Sequence, residues 1–154
     1  MRTIDKFAGD YEFLSNFYST KIDYEGLTYD STEAAFQAAK IKESTLEKTN
    51  ESRSIFVGLT PGKAKRLGRI VSLRPDWEKV KDGVMLDILR IKFSKPDLKQ
   101  MLLDTGDAYL IEGTTWHDNY WGNCTCDRCK NITGKNMLGK TLMQVRAELK
   151  ELEA

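Results

Sequence analysis

The chain has no apolar run near the roughly 18 residues that a membrane-spanning helix needs, and its opening, MRTIDKFAGDY, has no apolar centre of the kind that marks a signal peptide. A cytoplasmic protein with no membrane partner is the expectation. Net charge is lacking as well. The 24 basic and 23 acidic residues are mixed along the sequence for a formal charge of +1, which excludes the long single-sign footprint of a protein that tracks nucleic acid or an anionic membrane. One local exception, Lys63, Lys65, Arg66 and Arg69, is large enough for a phosphate or two. The cysteines number only three, all between Cys124 and Cys129. An odd, clustered set is no disulfide framework, so reduced thiols or metal ligands are expected. There is no repeat, no low-complexity segment and no linker, and no protein partner can be inferred.

What is present suits one domain spanning residues 1–154, with 40% hydrophobic and 31% charged residues and enough length to bury a core without staples. IDYEGLTY, Ile22 to Tyr29, sets apolar residues about a Glu-Gly turn and predicts a hairpin. The aromatic stretch YEFLSNFYST before it reads as an ordered loop. A helix should follow from Asp30 as N-cap, with Glu33 in the reciprocal capping position. Thr60 before Pro61 predicts another helix start. Val80, Val84, Ile88 and Ile91, widened by Met85, Leu89 and Phe93, form the stripe of a long helix beginning near Asp76 or Trp77. Asp97 to Asp104 reads as a helix closed by Gly106, Ala108 to Ile111 as a short strand, and Leu138, Leu142, Val145 and Leu149 as one face of a final helix. The expected class is α+β, richer in helix, in one domain.

Three groups of residues carry chemistry. Glu33, Gln37 and Lys40 fall at i, i+4 and i+7 on a helix whose other positions are small or apolar. They are either the wet side of an amphipathic helix or the floor of a pocket. TTWHDNYWGN, Thr114 to Asn123, holds the only histidine, His117, and sets Asp118 between Trp116 and Trp121. Its tryptophans either cover the core or offer a flat wall to a planar ligand. CTCDRCK follows, and Cys124, Cys126 and Cys129 with His117 could form a Cys3His zinc site; reduced loop cysteines and a redox or intermolecular role stand beside it. A zinc ion with four protein ligands would staple the loop rather than catalyse.

FLSNFY (Phe13 to Tyr18), STEAAFQAAK (Ser31 to Lys40), AKRLGR (Ala64 to Arg69), LRPDWEKVKDGVM (Leu73 to Met85), DNYWG (Asp118 to Gly122) and GKNMLGKTLMQVR (Gly134 to Arg146) together resemble the NADAR, or YbiA-like, family over nearly the whole chain and in family order. The resemblance implies an N-glycosidase that cleaves the bond between a ribose anomeric carbon and a base or amine nitrogen, with no cofactor required for catalysis. It implies two substrate groups: ADP-ribose attached to guanine, as a small molecule or presented on nucleic acid, and phosphoribosylated intermediates of riboflavin synthesis. By motif, Glu33, Lys40 and Asp118 fall at the family's active-site positions, and Asn16, Phe17, Gln37, Arg69, Trp77, Trp121, Gly122 and Asn136 fall in segments that shape its pocket. The departure is an insert over residues 123–133, which contains the cysteines and bears on substrate preference more than on reaction type. A non-catalytic module that binds ADP-ribose or a nucleotide is the rival reading. A zinc-dependent nucleic-acid adaptor is a third, weakened by the near-neutral charge.

Overall fold

The structure, a computed structural model, describes residues 2–153. Its helix-rich α+β elements group into two compact units, one formed by Asn16–Lys92 and the other by the residues up to Ser15 together with those from Phe93 onward. Among the described residues no helix is long and apolar enough to cross a membrane.

The unit of Asn16–Lys92 is built around a hairpin and one buried helix. Strand β2 (Ser19–Tyr24) pairs antiparallel with β3 (Leu27–Ser31). The turn joining them is Glu25 and Gly26, both with positive φ (48° and 95°), the two-residue geometry whose twist matches that of the strands. Helix α1 (Thr32–Ala38) follows without a loop. It is capped by Ser31, whose hydroxyl accepts from the Ala34 N–H at 3.1 Å. The expected cap, Asp30, instead lies on β3 and pairs with Lys21. This moves Glu33 out of the reciprocal capping position, and its carboxylate is used elsewhere.

Every residue of α1 is buried. The reason is its surroundings: β2, β3, α3 (Pro61–Gly68) and α4 (Trp77–Lys92) all pack against it. Ala34, Ala35, Ala38 and Ala39 are wholly enclosed, and such small side chains let neighbouring backbones approach closely. Thr60 caps α3 through the Lys63 N–H, with Pro61 in the first turn, as expected. Met85, Ile88 and Leu89 form the buried stripe of α4, each worth about 1.5–3 kcal/mol on burial. Between α1 and α3 runs α2 (Leu46–Arg53), capped by Thr45 and buried only at Thr49 and Arg53. Having no apolar stripe, it left no periodic signal in the sequence.

The other unit begins with β1 (Thr3–Ile4), which pairs in parallel with β4 (Tyr109–Leu110). A 3-10 turn at Gly9–Leu14 occupies part of the stretch read as a loop. Helix α5 (Pro96–Asp104) ends before Gly106, which has a φ of 61°. Helix α6 (Met137–Glu153) buries Leu138, Leu142, Val145 and Leu149 and packs on β4 and α5. Arg146 is buried with them, its guanidinium donating to Thr105 Oγ1 and the Ala108 carbonyl at 2.8 Å each. A second parallel pair, β5 (Gly113–Thr114) and β6 (Asn123–Cys124), frames the histidine–tryptophan loop.

Candidate active site

In the unit of Asn16–Lys92 the polar row is real, with one change of geometry. Glu33 and Gln37 are 8% and 7% exposed, and Gln37 Nε2 donates to Glu33 Oε1 at 2.9 Å. That settles the wet-face alternative against itself for these two, because both are enclosed. Lys40 does not complete the helical face. The helix ends at Ala38, and the Lys40 N–H turns back to the Gln37 carbonyl at 3.2 Å. The side chain then reaches α3, where Nζ donates to the Gly68 carbonyl at 3.3 Å.

The Lys40 amine has its pKa lowered, first by desolvation; Glu33 opposes this by attraction, and the positive charge of Arg69 adds to the lowering. The carboxylate therefore loses the contest. Arg69, the C-cap residue of α3, is exposed. Gly68 beside it is required by space: a Cβ there would lie 1.9 Å from Gln37 Oε1. The end of α3 thus presses on Gln37 and receives Lys40 at once.

Asn16 joins this group through its backbone, its carbonyl accepting the Glu33 N–H at 3.0 Å. Among the described residues, Asn16 Oδ1, Thr32 Oγ1 and Gln37 Oε1 are buried without a hydrogen-bond partner. Unsatisfied buried oxygens are rare in folded proteins and mark places where water or a ligand completes the set. Phe17 is 47% exposed, with Lys65 Nζ 5.8 Å from its ring centre, and it presents an aromatic surface. Trp77 does not: its ring sits 5.0 Å from Phe36 and is 5% exposed. Arg74 explains the rest of that motif. It holds Asp76 at 2.7 Å and 3.1 Å, and its own N–H caps the Lys40 carbonyl at 2.9 Å.

In the other unit, Asp118 organises a turn. Its Oδ1 accepts the N–H groups of Tyr120 at 3.1 Å and Trp121 at 3.0 Å. The carbonyls of Tyr120, Trp121 and Gly122 then accept from Met137, Leu138 and Asn136, closing the start of α6. Gly122 is there for space, since a Cβ would meet the Glu112 carbonyl at 2.4 Å. Asn136, at φ 52°, spends its side chain on backbone: Oδ1 accepts from the Glu112 N–H at 3.0 Å and Nδ2 donates to the Leu110 carbonyl at 2.9 Å. It braces the loop to β4. The Trp121 ring meets Tyr120 edge-on at 4.9 Å, and Trp116 is 54% exposed.

The histidine and the cysteines come together. One ligand atom from each of His117, Cys124, Cys126 and Cys129 lies within 4.8 Å of all the others. His117 Nδ1 is 3.4 Å from Cys129 Sγ and 3.3 Å from Cys126 Sγ, and the His117 N–H donates to Cys124 Sγ at 3.3 Å. Burial pushes the Cys124 thiol up, but bonds from the backbone N–H groups of Cys126 and His117 and from the neighbouring thiols outweigh it and bring its pKa down. Burial and the other two thiols push Cys129 up. One feature had no sequence signal: Lys130, Lys135 and Lys140, with Asn123 and Asn131, line a cavity of about 480 Å³. These lysines lie five apart on loop and helix, so only the fold groups them.

Known proteins share this sequence pattern and this fold. The NADAR domain family model matches residues 5–150. An N-glycosidase YbiA from Shigella boydii is 38% identical over 145 residues, covering 92% of this chain and 84% of that protein. A riboflavin biosynthesis protein from Vibrio vulnificus is 34% identical over 142 residues, which are 90% of this chain and 36% of the relative. The NMR structure of the Escherichia coli protein YbiA matches with a TM-score of 0.76 at 36% identity, covering 100% of this chain and 90% of that one. The chain belongs to the NADAR family.

Proposed function

We propose that the protein is an N-glycosidase that hydrolyses the bond between a ribose anomeric carbon and a base nitrogen. The observation that carries this reading is the desolvated Lys40 amine beside the buried Glu33–Gln37 pair. The names of the relatives support the reaction class.

Breaking this bond builds positive charge on the ribose ring, which a carboxylate stabilises. Glu33 is that carboxylate, and Gln37 fixes its orientation. Lys40 is the nucleophile. Its amine needs to be neutral to attack, and burial and Arg69 favour that form. The amine bonds to the anomeric carbon as the bond from that carbon to the base breaks; the Glu33 carboxylate takes one of the amine's two protons and passes it to the departing base nitrogen, and the second moves to the ring oxygen as the ring opens. The carbon becomes joined to Lys40 Nζ as an imine. Water then adds to that carbon, the amine leaves, and ribose closes again with a hydroxyl where the base had been. Asp118, carried over from the family motif, is a second carboxylate that orients ribose or water.

Two substrate groups fit. Phosphoribosylated riboflavin intermediates agree with the name of the Vibrio vulnificus relative. ADP-ribosylated guanine, free or on nucleic acid, would use more of the basic residues on α3. In both, Arg69 receives phosphate, joined by Lys63, Lys65 and Arg66 where there is a second phosphate, and Phe17 packs against the base.

The test offers purified protein both substrate groups and reads the released base by mass spectrometry, with borohydride present in a parallel reaction. Release from one group, lowered about 10²- to 10⁴-fold in Glu33→Gln, with a reduced sugar adduct on Lys40, is the expected result. Release without any adduct removes Lys40 from the nucleophile role. Binding of ADP-ribose without release from either group makes the protein a binding module.

A further inference from the structure

The segment of residues 123–133 brings three thiols around the imidazole of His117, which precedes it, and the dimensions of the cluster are those of a metal centre. A tetrahedral zinc ion with bonds of about 2.3 Å to sulfur and about 2.0 Å to nitrogen places nitrogen and sulfur roughly 3.5 Å apart and two sulfurs roughly 3.8 Å apart. His117 Nδ1 lies 3.3 Å and 3.4 Å from the sulfurs of Cys126 and Cys129, and no two ligand atoms of the four exceed 4.8 Å. We propose that His117 Nδ1 and the thiolates of Cys124, Cys126 and Cys129 form a closed Zn²⁺ site that fixes the turn bearing Asp118.

The surroundings are built for the charged form. The His117 N–H points at Cys124 Sγ, the kind of contact that stabilises a thiolate ligand. His117 itself holds a φ of 68°, a left-handed conformation that a side chain rarely adopts without something to hold it. A metal bond to its ring supplies that restraint. The Cys126 carbonyl accepts the Cys129 N–H at 3.0 Å, making the tight Cys-x-x-Cys turn that aims two sulfurs at one point.

Four protein ligands leave no open coordination position, so the ion is structural. What it would hold is specific. Asn119 Oδ1 accepts the Cys124 N–H at 2.9 Å, and Thr114 Oγ1 donates to the Asp118 carbonyl at 3.3 Å. The ligand set therefore brackets Asp118 from both sides in sequence. Loading the metal on Nδ1 leaves the ring proton on Nε2. Arg128, whose Nη1 is now 3.4 Å from Nε2 and which can only donate, then swings into solvent.

Zinc binding stands on this cluster alone, whereas its effect on turnover rests on the glycosidase reading. The test measures metal by mass spectrometry in protein purified without chelator, and the visible spectrum after exchange with Co²⁺. About one zinc per chain and the intense bands of tetrahedral cobalt–thiolate are expected, both lost in His117→Ala and Cys126→Ala. Circular dichroism confirms that each variant folds. Less than about one tenth of an equivalent together with no cobalt uptake by the reduced protein overturns the site. Undiminished zinc in His117→Ala overturns the assigned fourth ligand. Chelation should raise KM while the borohydride adduct at saturating substrate persists; zinc present but KM unchanged on its removal overturns the link to the Asp118 turn, leaving the metal site standing.

Discussion

The two units hold their functional groups by different physical means. In the unit of Asn16–Lys92, Glu33, Gln37 and Lys40 are set by packing: a helix rich in alanine is enclosed by a hairpin and two helices, and burial lowers the pKa of the Lys40 amine just past its end. In the other unit, Asp118, Asn136 and His117 are set by hydrogen bonds to backbone and by a ring of thiols. The first arrangement tunes reactivity, because desolvation moves a pKa. The second sets shape, because its side chains hydrogen-bond to backbone and so fix the turn. Substitutions should accordingly separate activity from stability differently in the two.

The largest effect on folding is expected at Asn136. Asn136→Ala leaves the Glu112 N–H and the Leu110 carbonyl without partners and keeps a β-carbon at positive φ. The loss should be about 2–6 kcal/mol in denaturant unfolding, since each of the two buried orphans costs roughly 1–3 kcal/mol, with KM of the surviving folded fraction unchanged. A raised KM at unchanged stability would make Asn136 a substrate ligand instead of a brace.

Gly68→Ala should do the opposite. The added Cβ displaces Gln37 from its position 1.9 Å away, so overpacking costs about 1–3 kcal/mol. Turnover should fall about tenfold or more, because Glu33 loses its orienting partner. Normal turnover in the folded variant would show that the Glu33–Gln37 bond has no role in the reaction.

Arg69→Met sharpens the electrostatic half of the contrast. Imine formation needs neutral Lys40, so its rate rises with pH through a pKa that lies below the ordinary 10.5. Arg69 helps to lower that pKa. Its removal raises the pKa again, moves the rising limb to higher pH and slows trapping at neutral pH, by about fivefold or less because the pull of an exposed charge, screened by water, is worth about 1 kcal/mol at most. A limb displaced to lower pH would contradict the assignment.

The smallest test concerns the start of α1. Ser31→Ala should cost about 1 kcal/mol through loss of its cap on Ala34. Asp30→Ala should cost about 0.5 kcal/mol or less, because its bridge to Lys21 is solvent-exposed. Reversed magnitudes in a thermal melt would return the cap to Asp30.

Where a signal is local, the sequence determined the outcome. The positive-φ turn at Glu25 and Gly26, the Thr60–Pro61 helix start, the stripes of α4 and α6 and the clustering of three thiols near His117 all follow from spacing and residue type. Tertiary structure decided whatever depends on neighbours distant in sequence. Ser31 and Asp30 are both good caps, and strand β3 chose between them by extending through both. Trp77 and Phe17 are both aromatic, yet Phe36 covers one and leaves the other in solvent. Helix α2 has no stripe; it is tied instead by its Thr45 cap and by Arg53, which donates to the distant Ile41 carbonyl at 3.0 Å. Whether Lys40 is pulled toward its charged form by Glu33 or toward its neutral form by burial was undecidable from their spacing. Desolvation is a property of everything packed around the amine, and only the folded chain specifies that.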